Sequence, residues 1–313
     1  VQTCALPIFL NVNNLSGSLP AELGNFPALE FLSLYGNNLS GGIPPALGNL
    51  SSLLSLALNN NHLAGGIPPE LGDLSALSEL QLEVNELTGG IPPELADATQ
   101  LYDLKLSANQ LTGGIPPELG SLGILSTLFL DHNQLSGTIP PELGNLNQLR
   151  YLRLNSNQLT GSIPPELGSG SGYMNEMLLG SNQLSGTIPP SLGSLPNLQV
   201  LDLDRNQLTG TIPPELGGNK PYMWRINLSH NRLSGSIPSA IYGSGCSPQY
   251  IYLNNNQLNG SMPASLGYMV GGELFLNSNQ LSGAIPPEWI NIWVYDGTGH
   301  DLRRNALSSD DRG

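Results

Sequence analysis

The chain has 313 residues, of which only 11% are charged, and its formal net charge at pH 7 is −14. Nucleic-acid binders and proteins that bind anionic membranes need clustered Lys and Arg. The ten basic residues here are scattered, so neither class of partner is expected. No apolar run approaches the roughly 20 residues that a membrane-spanning helix requires, so we expect no direct insertion of this segment into a membrane.

The first eight residues, 1–8, have the sequence VQTCALPI and resemble the translation of a common sequencing-library adapter. On this interpretation the segment is not native, and the alternative is a short natural leader. Residues 1–8, including Cys4, are therefore excluded from the fold prediction. Cys246 then remains as a single thiol, which provides neither a disulfide framework nor a metal-binding spacing.

Residues 9–288 repeat one pattern, which is clearest in residues 125–141, LSTLFLDHNQLSGTIPP. The shared pattern is L-x-x-L-x-L-x-x-N-x-L-[ST]-G-x-I-P. Successive asparagines are 24 residues apart in the first six steps and 23 to 26 apart later. A period in this range is typical of a solenoid, in which each coil packs only on its neighbours. The repeated asparagines are Asn13, Asn37, Asn61, Asn85, Asn109, Asn133, Asn157, Asn182, Asn206, Asn231, Asn256, Asn279 and Asn305.

The first half of each coil predicts a short strand. Leucines two residues apart point to one side of a strand, and the residues between them point to the other. Such strands are expected to stack in parallel at about 4.8 Å. The asparagine follows at the turn, where its amide can bond backbone groups of adjacent coils. We therefore interpret the repeated asparagines as structural.

The second half of each coil predicts a second short strand and a short helix. Leu135, Gly137 and Ile139 are expected to point inward, whereas Ser136 and Thr138 face outward. The Pro-Pro pair that follows favours a helix start, and the glycine of P-E-L-G is expected to end that helix. Stacked glutamates in these segments are interpreted as helix-start residues rather than cation ligands: Glu70, Glu94, Glu118, Glu142 and Glu166.

These repeats resemble the plant-type leucine-rich-repeat family, which includes receptor-kinase ectodomains and polygalacturonase inhibitors. The resemblance covers about Phe9 to Pro287. It implies an α/β solenoid, a right-handed curved array of about 13 coils, with a parallel sheet on the concave face and short second strands and 3-10 or short helices on the other side. It also implies an extracellular or cell-surface setting. Neither a signal peptide nor the family's cysteine-bearing caps are recognisable, and both ends are expected to be incomplete.

Two regions depart from the regular repeat. Residues 289–313 are predicted to form a ragged last coil, because Leu302, Asn305 and Leu307 still fit the template. Four linkers lose the usual leucine before the strand, namely residues 168–174, 217–223, 242–248 and 268–272. Loop variation on a rigid scaffold often accompanies binding, and decay of the repeat is the alternative.

The outward positions of the strands are the candidate ligand contacts. Neighbouring members of one outward column are one strand apart, so side chains from successive coils are expected to form clusters. The first cluster contains Phe129, Tyr151 and Arg153, and the second contains Trp224, Arg225, Tyr250, Tyr252 and Phe275. Exposed aromatics with arginine are typical of interface hot spots, and aromatics also stack on sugar rings. We predict a non-catalytic module that binds a protein, peptide or cell-wall polysaccharide on the concave face, preferentially at the second cluster. The alternative is that these side chains pack on one another.

A different hypothesis comes from two outward rows of hydroxyls. The pairs are Ser136/Thr138, Thr160/Ser162, Ser185/Thr187, Thr209/Thr211 and Ser234/Ser236. Rows of hydroxyls about 4.8 Å apart could order water, which would suit an ice-binding (antifreeze) protein. Against this hypothesis, [ST]-G belongs to the repeat pattern itself, and glycine occupies the second row in earlier coils.

Catalytic and cofactor chemistry find little support. The four histidines lie in different coils, and none has a triad-like setting. Asp202 and Asp204 share a strand face at roughly 6.5 Å, near the carboxylate spacing of glycosidases, but no pocket is expected around them. No cofactor or metal is predicted. Five N-x-[ST] sequons are candidate N-glycan sites: Asn14, Asn38, Asn49, Asn227 and Asn259.

Overall fold

The computed structural model describes residues 7–170, 172–218, 220–243, 245–269, 272–289, 300–301 and 305–307. Residues 1–6 of the predicted leader and most of residues 289–313, including Leu302, lie outside the described residues. The chain divides into two compact units, Val1–Leu159 and Thr160–Gly313.

The described part of the first unit contains a parallel sheet of seven short strands, one from each coil. Paired residues are 24 apart in sequence, as in the pairing of Leu128 with Leu104 and with Leu152. This offset equals the repeat length, so equivalent residues of successive coils lie side by side. The strands are Ile8–Phe9, Phe31–Ser33, Ser55–Ala57, Glu79–Gln81, Asp103–Lys105, Thr127–Phe129 and Tyr151–Arg153.

The described part of the second unit contains six main strands, which are also parallel. They are Glu176–Leu178, Val200–Asp202, Arg225–Asn227, Tyr250–Tyr252, Glu273–Phe275 and His300–Asp301. The last of them pairs with the strand that ends at Phe275. Asn305 also occupies its expected turn position, because its Oδ1 accepts a hydrogen bond from the Leu281 N–H at 3.1 Å.

The core lies behind the main strands and consists mainly of the repeated leucines. Leu128 and Leu130 are completely buried on either side of the half-exposed Phe129. The same alternation holds around Tyr252, between Ile251 and Leu253. Because outward residues contribute little to this core, the leucines determine the fold and leave the outward columns free to vary.

The asparagines form a buried hydrogen-bonding ladder, as predicted. Asn133 Nδ2 donates to the carbonyl oxygens of Leu106 at 3.0 Å and Leu130 at 3.1 Å. Its Oδ1 accepts from the main-chain N–H of Leu111 at 3.0 Å. The preceding residue, His132, has a φ of 54°, in the left-handed region that non-glycine residues rarely adopt. The amide thus stabilises a strained turn and joins it to the preceding coil.

The predicted alternation in the second half of the coil is wrong at Gly137. Leu135 and Ile139 are buried, but Gly137 is exposed and has a φ of 77°. A positive φ interrupts the strand, and glycine adopts it without steric cost. Second strands occur in part of the array, at Ser16–Ser18, Asn38–Gly41, His62–Gly65 and Glu86–Leu87, and at Ser234–Gly235, Gln257–Gly260, Gln280–Gly283 and Ala306–Leu307.

Short 3-10 helices follow most of the Pro-Pro pairs. In the first unit they are Ala21–Asn25, Pro45–Asn49, Pro69–Asp73, Pro93–Asp97, Pro117–Ser121 and Pro141–Asn145. In the second they are Pro165–Gly168, Pro190–Ser194, Pro214–Gly217, Ser239–Ile241, Ala264–Tyr268 and Pro287–Trp289. The stacked glutamates lie in their first turns, as expected, and none of these helices in the described ranges is long and apolar enough to cross a bilayer.

The prediction that glycine ends these helices is confirmed at Pro165–Gly168 and Pro214–Gly217 but is wrong in the regular coils. The helix Pro141–Asn145 continues one residue beyond its glycine, Gly144. The equivalent Gly120 instead allows close packing of neighbouring coils, because a Cβ atom there would lie 2.3 Å from the carbonyl oxygen of Glu142. The glycine is therefore required by the stacking of helices rather than by a left-handed cap.

The irregular linkers fill the core with other side chains. Met174 and Met223 are buried at the last core position before their strands. Cys246 is also buried, and burial raises the pKa of its thiol to about 11. Lys220 lies five residues before the strand Arg225–Asn227 and is completely buried. In a regular coil the same position is a leucine, such as Leu146 before the strand Tyr151–Arg153. Burial lowers the pKa of this lysine.

Candidate functional site

The aromatic residues predicted for the second cluster form one continuous row. We define the aromatic row as Trp224, Tyr250, Tyr252 and Phe275. The Trp224 and Tyr250 rings meet edge to face, with centroids 5.4 Å apart. Near-parallel ring pairs follow, Tyr250 with Tyr252 at 6.4 Å and Tyr252 with Phe275 at 5.4 Å. The rings do pack on one another, yet Trp224 remains 42% exposed and the other three are half-buried.

A carboxylate fixes the centre of the aromatic row. The Tyr252 hydroxyl donates a hydrogen bond to Glu273 Oε2 at 2.5 Å. Burial, followed by the hydrogen bond and negative charge of Glu273, raises the pKa of Tyr252. The phenol therefore remains a neutral donor at physiological pH. Both side chains belong to adjacent main strands, so the sheet register positions this contact.

Arg225, the remaining predicted member of this cluster, bonds to an acidic residue. Its Nη2 forms an ion pair with Asp202 Oδ2 on the preceding strand. The Arg225 Nε is buried and makes no hydrogen bond within the described part of the chain. Arg225 lies opposite Tyr250 in the register and directly follows Trp224. The ion pair is therefore located at the margin of the aromatic row.

Asp202 and Asp204 are closer than their strand spacing predicts. The Asp204 N–H donates to Asp202 Oδ1 at 3.2 Å, and the Oδ1 atoms of both residues lie against the same backbone position, Gly180. Burial, followed by the charge and hydrogen bond of Asp202, raises the pKa of Asp204 to about 7. Within the described residues, no group of three His, Cys, Asp or Glu side chains could hold a metal ion.

The first predicted cluster is organised around Phe129. The Arg153 guanidinium lies 4.2 Å from the centroid of this ring, and Lys105 Nζ lies 5.9 Å from it. Lys105 also donates to Asp103 Oδ2 at 2.6 Å. Tyr151 is 37% exposed and lies opposite Thr127, in the neighbouring outward column. Cation–π contacts of this kind stabilise ring positions on an exposed sheet.

Sequence reasoning missed most of a third outward column, which lies two residues before each asparagine and of which it named only Asp204. Asp131 and Asp204 belong to it, and both join hydrogen-bonding networks. The Ser107 hydroxyl donates to Asp131 Oδ1 at 2.5 Å, one coil away in the same column. The signal was present as polar residues at this position in successive repeats. It was overlooked because strand alternation was not extended into the turn.

We call the first residues of the hydroxyl pairs, such as Ser136, the inner row and the second residues, such as Thr138, the outer row. The two rows differ in exposure and in hydrogen bonding. In the inner row, Thr209 Oγ1 donates to the carbonyl oxygen of Gly186 at 3.2 Å, and Ser185 bonds the preceding coil similarly. The outer row of the second unit is exposed and consists of Ser162, Thr187, Thr211, Ser236 and Ser261. Ser185 and Thr209 are exposed as well, so the outer row differs in being exposed at every one of these positions.

The candidate glycan sites are not equivalent. Asn14, Asn38, Asn49 and Asn259 are exposed, whereas Asn227 is buried in a main strand. Asn227 Oδ1 accepts hydrogen bonds from both the hydroxyl and the N–H of Ser229. Burial disfavours a glycan at Asn227 in the folded chain, and the other four sites stay predictions.

Comparison with known proteins agrees with the repeat pattern. A leucine-rich-repeat family model matches residues 99–159, and a second matches residues 28–50, 52–74, 174–195, 197–219, 223–244 and 247–269. Sequence comparison with curated proteins gave no significant match.

Several solved structures are similar over nearly the whole chain. The plant peptide hormone receptor RGFR1 in complex with RGF2 is 35% identical, with a TM-score of 0.80 over 95% of this chain and 55% of the receptor. PEPR1 in its AtPEP1 complex is 36% identical, with a TM-score of 0.81 over 97% of this chain and 45% of that chain. The chain thus spans about half the length of these receptor chains.

Two further structures match a larger share of their own length. A plant ice-binding protein is 28% identical, with a TM-score of 0.62 over 86% of this chain and 80% of that chain. A leucine-rich-repeat protein of Leptospira interrogans is 30% identical, with a TM-score of 0.68 over 97% of this chain and 79% of that chain. Together with the family models and the observed coils, these matches show that the chain belongs to the leucine-rich-repeat family.

Proposed function

We propose that this chain is a non-catalytic, extracellular recognition module whose aromatic row binds a protein, peptide or cell-wall polysaccharide. The aromatic row is the observation that carries this proposal. Four contacting aromatic side chains lie on outward positions that need not be aromatic for the fold, and Trp224 remains 42% exposed. Aromatic side chains dominate interface energetics through their large apolar area, and the exposed part of each ring is available to a ligand here.

A peptide is the ligand class that we favour. RGFR1, which is similar over 95% of this chain, was solved with the ligand RGF2. The Tyr252–Glu273 hydrogen bond fixes the row before a ligand arrives, so little side-chain entropy is lost on binding. Phe129, Tyr151 and Arg153 are proposed as a separate ligand-contacting surface of the first unit.

Replacing Tyr250 and Tyr252 together by alanine is expected to weaken ligand binding at least about 100-fold, the effect of two moderate hot-spot residues. Ligands would first be selected on the wild type from a random displayed-peptide library and a cell-wall glycan array, and affinities would then be measured by calorimetry. Tyr222→Ala is the matched control, because Tyr222 is 61% exposed but lies in a linker of the same unit. Equal affinities of the double variant and the wild type would refute this site.

Ice binding is the second candidate function. It is supported by the exposed outer hydroxyl row and by similarity to a plant ice-binding protein. If it is correct, the wild type inhibits ice recrystallisation, and replacing Thr187 and Thr211 by tyrosine abolishes that activity by disrupting the spacing of the row. The Tyr250→Ala, Tyr252→Ala variant serves as the control and is expected to retain full activity. A wild type without recrystallisation inhibition would eliminate this candidate.

A further inference from the structure

We propose that Asp202, Asp204 and Arg225 form a proton-operated switch that sets the charge beside the aromatic row and so regulates ligand binding there. The part of this inference that concerns binding rests on the proposed function. The change of charge itself is a property of the chain alone. The two parts can therefore be tested separately.

The geometry places Asp202 between two partners. Asp202 ends the strand Val200–Asp202 and is only 8% exposed. One carboxylate oxygen accepts the Asp204 N–H, and the other pairs with Arg225. Burial of a carboxylate requires such compensation, because an unpaired buried charge is strongly destabilising. Asp202 therefore couples the charge of Asp204 to the position of Arg225.

The preceding coil leaves space for this pair at Gly180. A Cβ atom on Gly180 would lie 2.1 Å from Asp204 Oδ1 and 3.2 Å from Asp202 Oδ1. Both carboxyl groups thus lie over the Gly180 backbone, partly shielded from water. Desolvation of this kind favours the neutral form of a carboxyl group.

The charged groups around Asp204 come from three elements. On its own segment, Arg205 Nε lies 3.5 Å from Asp204 Oδ2, but the arginine side chain is 65% exposed. On the next coil lie Arg225 and His230, and burial and Arg205 lower the pKa of that histidine. On the preceding strand, Glu176 lies opposite Val200. The two arginines favour the charged form of Asp204, but desolvation and Asp202 outweigh them, and the pKa rises to about 7.

The two protonation states have different charges. When Asp204 is protonated, its hydroxyl donates to the Asp202 carboxylate, and the charges of Asp202 and Arg225 cancel. When Asp204 loses its proton, two neighbouring carboxylates repel each other, and the group of three carries a net charge of −1. Arg225 is then drawn between two carboxylates. Because Arg225 lies opposite Tyr250 and next to Trp224, this change alters the field at the aromatic row.

The charge change can be tested without a ligand. We would titrate the full chain with ¹³C-labelled aspartate and follow the carboxyl resonances between pH 4 and 9. One carboxyl resonance with a midpoint near pH 7 is expected in the wild type. This resonance should be absent in Asp204→Asn. It should be retained in the control variant Asp131→Asn, which changes an acidic residue of the same column in the first unit. A third variant, Gly180→Ala, keeps both acids but displaces them toward water, and its midpoint is expected to fall. Titration of Asp204 near pH 3.9, the ordinary value, would overturn the inference.

Regulation of binding can be tested with two peptides that differ only in charge, the acetylated amides of Trp-Lys-Trp-Lys and Trp-Glu-Trp-Glu. Between pH 6 and 8 the affinity ratio of the lysine to the glutamate peptide should rise at least about threefold, the effect of one added charge near the surface. Asp204→Asn should abolish this rise. A ratio independent of pH in the wild type would overturn the regulation while leaving the binding site intact. Failure of both peptides to bind at any pH would instead contradict the proposed site and, with it, its regulation.

Discussion

Replacement of Lys220 by alanine is expected to lower the free energy of unfolding of the second unit by about 3–5 kcal/mol. Lys220 Nζ donates to the carbonyl oxygens of Gly193 at 2.8 Å, Leu195 at 2.9 Å and Leu192 at 3.3 Å. Alanine removes all three hydrogen bonds, and it also leaves a cavity at a position that is completely buried. Both losses fall on one site, which explains the size of the expected effect.

Urea unfolding followed by tryptophan fluorescence would measure this effect, because all three tryptophans of the chain belong to the second unit, Thr160–Gly313. Lys220→Met tests the assignment further, since it restores most of the buried volume without the donors and should be intermediate in stability. Arg232→Ala, a change of an exposed basic residue in the next coil, should alter stability by no more than about 0.5 kcal/mol. A Lys220→Ala variant as stable as Arg232→Ala would show that the buried ammonium contributes nothing.

Replacement of Asn133 by alanine is expected to cost the first unit about 3 kcal/mol or more. The variant leaves the Leu111 N–H and the carbonyl oxygens of Leu106 and Leu130 without their side-chain partner. An unsatisfied buried polar group costs about 1–3 kcal/mol, and His132 would keep its left-handed backbone without the amide that stabilises it.

Two control variants distinguish the loss of the ladder hydrogen bonds from the general effect of replacing an asparagine. Asn145 is exposed at the end of a 3-10 helix, so Asn145→Ala should be nearly neutral in the same thermal and urea measurements. Asn133→Asp keeps the acceptor and the shape but loses the Nδ2 donor, and its stability should lie well below that of the wild type. Equal stability of Asn133→Ala and Asn145→Ala would contradict the structural role of the ladder.

The period and the asparagine position were sufficient to predict the coils. A 24-residue repeat placed Leu104, Leu128 and Leu152 in one row, and they occupy one register in the structure. The roles of the glycines could not be predicted in the same way. Gly137 is needed for its positive φ and Gly120 for close approach to the next coil, and neither requirement is visible in an isolated repeat.

The candidate site was predictable where its contacts follow the register. Tyr252 lies opposite Phe275, and Phe129 lies opposite Arg153, as the columns predicted. The ion pair of Arg225 with Asp202 runs diagonally between columns, and long side chains can make such contacts without a sequence signal. The burial of Lys220 was not predicted, because charged side chains are almost never fully buried unless they are paired.

Oxidative footprinting of the ligand complex would test the central claim, that the aromatic row is the ligand-binding surface. A ligand selected on the wild type would be added at saturation, and hydroxyl-radical labelling of each aromatic residue would be compared with that of the free chain. Protection is expected at Trp224, Tyr250, Tyr252 and Phe275, with unchanged labelling of Tyr102 and Tyr222, which are both exposed outside the row. Unchanged labelling of the row alongside protection elsewhere would contradict the assignment.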